Sequence, residues 1–142
     1  MWADTLETVE RAHLLRLLVW GAACVLAGSA IGAWLRAGAR RSDLLKQFAI
    51  QTVAWGAIEV MMAWALWSQV APRDVASATR LDRLLWLNIG LDAGYVLVGI
   101  TLIVAGWRLG RRVGLAGAGI GIVVQGFALA LLDLVLAIHI SR

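Results

Sequence analysis

Three carboxylates stand inside otherwise apolar stretches of this chain: Glu59, Asp92 and Asp133. An ionised acid at the centre of a membrane-crossing helix costs about 2.5–3.5 kcal/mol on insertion scales. Three such acids must turn towards protein, find partners or hold a proton. Polar neighbours recur beside them. Asn88, Asp92, Tyr95 and Gly99 follow at i, i+4, i+7 and i+11, a narrow sector of one helix. Gln51 with Glu59, and Gln125 with Asp133, form looser pairs about 80° apart around theirs. Groups of this kind either bind a proton, a cation or a polar ligand within the bilayer, or tie helices together by hydrogen bonds worth about 0.6–2 kcal/mol each. Both readings stay open at this point. Arg16, Arg83, His13 and His139 are the counter-charges within reach, and Arg16 is the best placed, just before the apolar part of the first helix.

The elements that position these residues follow from hydropathy. Of 142 residues, 61% are hydrophobic and 15% charged, against about 25% charged in soluble domains. A soluble fold of this length has too little interior for so much apolar surface, and a bilayer supplies the missing solvent. Residues 17–35 carry no charge, 48–67 only Glu59, 84–107 only Asp92, and 113–140 Asp133 with His139 near the end. Each run reaches the roughly 20 residues that a helix needs to cross the hydrocarbon core. Backbone groups in lipid need internal partners, and the period-two alternation of a barrel is absent, so the runs are helices. The expectation is an all-α, integral membrane four-helix bundle: a single transmembrane domain over 1–142 with helices near 14–35, 47–69, 83–107 and 113–140.

Charged segments separate the runs: 36–46 with Arg36, Arg40, Arg41, Asp43 and Lys46; 68–83 with Pro72 and Arg73; and a short Arg-rich turn at 108–112. Asp4-Thr5-Leu6-Glu7 fits a capping box, so helical structure starts ahead of the membrane. The N-terminal acids Asp4, Glu7 and Glu10 suit a signal peptide poorly, which makes the first run a retained helix. Trp34 and Trp107 mark one interface, and Trp64, Trp67 and Trp86 the other. At about 1.5 Å per residue, Asp92 and Asp133 lie roughly 10 Å from the side that holds the termini, and Glu59 roughly 13 Å. All three acids therefore share that half of the bilayer.

The formal charge is +4, with 12 arginines and one lysine clustered at the ends of apolar runs. That placement fits interfacial anchoring and contact with anionic lipid better than nucleic-acid binding, which is not expected. The two loops opposite the termini hold seven Arg/Lys and the terminal side six. The positive-inside rule thus leans, by that margin of one, towards external termini in the cell's inner membrane. Cys24 is the lone cysteine, a buried thiol with no intrachain partner.

Gln51-x-x-Ala54-x-Gly56-x-Ile58-Glu59 and Gln125-x-x-Ala128-x-Ala130-x-Leu132-Asp133 follow one pattern. Two related helical hairpins would explain it, as would chance likeness between apolar sequences. Gly90/Gly94 and Gly117/Gly121 have the small-xxx-small spacing of close helix contacts. Gly90 and Gly94 point about 160° away from Asp92, so an inward acid leaves this glycine face turned outward, to a second copy or another membrane protein. No HExxH, CxxC, phosphate loop or Ser/His/Asp constellation appears, so no catalytic residue, metal or cofactor is expected.

The chain resembles a family of small, uncharacterised bacterial four-helix membrane proteins. The residues that carry the likeness are Gln51…Trp55-Gly56-x-x-Glu59, then Asn88-x-Gly90-Leu91-Asp92-x-Gly94-Tyr95, then Gly117-x-Gly119-x-Gly121 with Gln125-Gly126-Phe127 and Asp133. Glu59 stands where Asp or Asn is expected, and Ala118 where a polar residue such as His is usual. The resemblance implies a fold and no activity. The sequence leads to a non-catalytic bundle, a homo-oligomer or accessory subunit whose interior polar cluster fixes helix packing. The alternative is a small proton- or cation-coupled transporter, or a membrane protein that binds a polar ligand or lipid through the buried acids.

Overall fold

The computed structural model describes residues 2–38 and 41–140, so Arg40 of the first basic segment lies outside the described residues. Four helices make up the protein: α1 (Trp2–Arg36), α2 (Asp43–Trp67), α3 (Val75–Arg108) and α4 (Val113–Ile140). Each is long and apolar enough to cross a bilayer. The expected all-helical membrane bundle is what forms.

Two helices run further than hydropathy alone indicates, for local reasons. α3 starts at Val75 rather than near 83 because Asp74 caps it, its carboxylate accepting the Ser77 N–H at 2.8 Å. The Ser77 hydroxyl and N–H hold the Asp74 carboxyl below its ordinary range. α1 starts at Trp2 rather than near 14. Its extension is amphipathic: Leu6, Glu10, His13, Leu14 and Leu17 are buried at helical spacing. Ser42 caps α2, its hydroxyl accepting the Leu45 N–H at 3.3 Å. Between α3 and α4 the chain reverses through Gly110 (φ 71°) and Arg111 (φ 54°), left-handed positions that close the turn.

Glycines set the packing. A Cβ on Gly21 would stand 2.7 Å from the Gly56 carbonyl oxygen, and one on Gly56 would stand 2.6 Å from that of Gly21. Gly28 lies equally tight on Ala49. These approaches join α1 to α2. In the second hairpin, Gly99 opposes Gly119, and Gly126 faces the Asp92 carbonyl. Helices in lipid gain little from burying apolar area, so close van der Waals contact through small residues is what holds them together. The crossings correspond as Gly21/Gly56 with Asp92/Gly126, and Gly28/Ala49 with Gly99/Gly119. Gln51 and Gln125, which match in the sequence pattern, fall out of step at these crossings.

α4 is the central helix. It packs on α3, on α2 and along a shorter stretch on α1, whereas the α3 backbone comes close only to that of α4 and stays at a distance from that of α2. Gly117 of α4 lies directly on the Leu44 carbonyl, and Gly121 lies on Gln51. Large apolar side chains such as Leu26, Met61, Trp64, Leu97 and Phe127 cover the outside. Such a surface suits fatty chains and would be a liability in water. Gly90 and Gly94 meet nothing within 4 Å and stay on that outer surface.

Candidate functional site

Because α2 and α3 both lean on α4 and not on each other, a cavity of about 510 Å³ opens between them. It begins at the α2–α3 connection, at Gln69 and Arg73. It runs past Glu10 and His13 of α1 and ends at Trp55 and Tyr95. Those two rings meet edge to face, 5.1 Å between centroids, and bridge the two helices at the inner end. Leu84, Leu91, Leu129 and Met62 supply apolar wall.

Glu59, Asp92 and Asp133 all line this cavity. Glu59 is 2% exposed and Asp92 5%. Gly21 makes room for Glu59, since the Glu59 Cβ lies only 3.0 Å from where a Gly21 Cβ would be. Among the described residues, neither carboxylate oxygen of Glu59 has a hydrogen-bond partner, nor does Oδ2 of Asp92. Asp133 is better supported: His13 Nε2 stands 3.4 Å from its Oδ1, and the Asn88 amide is beside it. Asp92 lies within electrostatic reach of both other acids. Three carboxylates thus line one cavity, with an imidazole beside Asp133. Desolvating an unpaired carboxylate costs several kcal/mol, which a proton or a cation would relieve. Among the described residues, no three His, Cys, Asp or Glu side chains are placed to hold one metal ion.

The cavity mouth is tied shut on one side. Arg73 donates from Nε and Nη2 to the two Glu10 oxygens at 2.8 and 2.6 Å. This bidentate pair fixes the α2–α3 connection on α1.

Several expected site residues lie elsewhere. Arg16 does not turn inward; it is exposed in an apolar groove between α1 and α4, with Leu15, Val19 and Leu131. Three residues along a helix leave Arg16 about 60° round the axis from His13, and it is His13 that points to Asp133. Gln125 also faces away from the cavity. It is 2% exposed, accepts the Trp20 Nε1 proton at 2.9 Å and donates to Cys24 Sγ at 3.2 Å, joining α4 to α1. Gln51 packs under Gly121 at the α2–α4 crossing. Asn88 and Tyr95 both line the cavity and are themselves partly open to the outside of the bundle. Gly117 and Gly121 serve contacts within the chain, and Gly90 and Gly94 face out.

The expected reading missed Glu10, Arg73 and the lining role of Trp55. For Glu10 a signal was present: it continues the buried stripe of Leu6, His13, Leu14 and Leu17. For Arg73 there was none, since a loop arginine carries no periodicity.

The Gln125 geometry makes a prediction. Gln125→Leu is expected to lower stability in detergent by about 1 kcal/mol, the usual scale of an intramembrane side-chain bond. Cavity properties should stay unchanged. A Gln125→Leu protein that unfolds like wild type, or one with an altered cavity, would contradict this assignment.

A model of a family of unknown function (DUF6992) matches residues 16–134. No curated protein and no solved structure matches the chain.

Proposed function

The chain belongs to this family of unknown function, and from there we propose that it is a non-catalytic membrane protein that binds an amphiphilic organic cation in the acidic cavity. One observation carries the reading: both oxygens of Glu59 lie buried in a cavity wall with no hydrogen-bond partner among the described residues. A cation would settle there at low cost, since the carboxylates are already desolvated and preplaced. The cavity has the size of a small-molecule site. Its aromatic end and leucine walls suit an apolar body behind the charge. A proton competes with such a ligand for the same carboxylates, and that competition is the chemistry that proton–cation exchange needs. By the arginine balance, the cavity opens towards the external face of the inner membrane.

The test uses the full chain in mild detergent, titrated with tetraphenylphosphonium while tryptophan fluorescence is followed. Wild type is expected to bind, with Trp55 reporting. Affinity should fall as the pH is lowered and protons occupy the acids. Glu59→Gln should weaken binding tenfold or more, about 1.4 kcal/mol. Equal affinity of Glu59→Gln and wild type, or absence of binding by wild type, would sink the proposal.

A second reading is a homo-oligomer or accessory subunit assembled through α3. It is favoured by the open Gly90/Gly94 face and the exposed Leu87, Leu97 and Val98 around it. Native mass spectrometry from mild detergent separates the two, because a lone monomer with a bound cation excludes the second.

A further inference from the structure

α1 and α2 do not stay together along their whole length. They touch at Gly21/Gly56 and again at Gly28/Ala49, but one turn further on Gly32 meets nothing within 4 Å. The splay opens a cleft of about 750 Å³ at the end of the bundle opposite the acidic cavity. Its mouth carries Arg36, Arg41 and Lys46, at the end of α1 and the beginning of α2. None of these three cations pairs with a carboxylate among the described residues. Asp43 also lines the mouth and offsets only part of their charge. Deeper in, the walls are Ile50, Val53 and Ala54. The nine residues from Lys46 to Ala54 span about 12 Å along the helix, so the cleft runs from the headgroup level well into the hydrocarbon.

We propose that this α1–α2 cleft is a binding site for one anionic phospholipid, with its phosphate held by Arg36, Arg41 and Lys46 and an acyl chain laid along Ile50 and Val53. Charge and shape argue for the same occupant. The cations select a negative headgroup, each contributing attraction that a zwitterionic lipid receives only in part. The apolar stem selects a fatty chain, which free phosphate lacks. The site is independent of the cation cavity, lying at the other interface and sharing no lining residue with it.

Native mass spectrometry of the full chain in detergent tests it. The protein is mixed with phosphatidylglycerol, with phosphatidylcholine of the same chains, and separately with sodium phosphate. The expected result is one retained phosphatidylglycerol, at least tenfold preferred over phosphatidylcholine and not displaced by millimolar phosphate. The double variant Arg41→Gln/Lys46→Gln should abolish the preference. Gly32→Leu is the sharper probe: its side chain enters open space, so the fold is kept while the stem is filled. It should lose the lipid with all three cations intact. Equal retention of both lipids, displacement by phosphate, or a Gly32→Leu protein that folds and still retains phosphatidylglycerol would each overturn the proposal.

Discussion

Gly117→Leu is expected to prevent α4 from seating on α2 and to cost about 3 kcal/mol or more, the upper end of the range for overpacked sites. A Cβ at this position would fall on the Leu44 backbone, with the carbonyl oxygen, carbonyl carbon and Cα all in the way. A side-chain tip can swing aside, but a helix backbone cannot. The α2–α4 contact must open, and with it the Gly121–Gln51 contact a turn further on. Membrane helices have little other apolar driving force to compensate. The control is Gly94→Leu, whose Cβ meets nothing and which should stay within about 0.5 kcal/mol of wild type. The buried lone thiol, Cys24, supplies the readout: its alkylation rate in rising denaturant reports opening of the bundle. If the two variants expose Cys24 at the same denaturant concentration, the assigned α2–α4 crossing is wrong.

The second large effect concerns the mouth of the acidic cavity. Arg73→Glu should destabilise the protein by about 3 kcal/mol or more. It removes a bidentate partner from Glu10, itself buried, and sets two carboxylates against each other. The Glu10 carboxylate holds the Arg73 guanidinium above its ordinary range by accepting its hydrogen bonds. A base whose folded pKa is raised contributes its stability at every pH below the unfolded value. From the arginine side the pair is therefore fully formed at neutral pH and is lost only in strong alkali. Arg73→Ala should cost less, about 1.5–3 kcal/mol, the scale of a charge-assisted bond. The reversed pair, Glu10→Arg with Arg73→Glu, should recover a large part of the loss. A double-mutant cycle on thermal unfolding measures the coupling. A coupling near zero would mean that this contact does not hold the α2–α3 connection on α1.

How much of this was legible beforehand depended on whether the determining physics is local. Span positions rest on the transfer free energy of each side chain into lipid, a property of the residues alone. That is why the four helices and the outward turn of Gly90 and Gly94 follow from the chain read by itself. The α1 extension was half legible, since the spacing of Leu6, Glu10, His13 and Leu17 marks a helix but not what it covers.

Rotation of each helix about its axis, and the choice of neighbour, are different. Arg16 and His13 sit within a turn of each other, and only the packing of α1 against α2 and α4 decides which of them meets Asp133. Gln125 resembles Gln51 in sequence, yet one bonds Trp20 and Cys24 while the other packs beneath Gly121. The sequence by itself determined that the chain forms four helices long and apolar enough to cross a bilayer, because hydration costs add up residue by residue. Only the tertiary structure decided that the acids share a cavity between α2 and α3, because that gap exists where two helices lean on a third and not on each other.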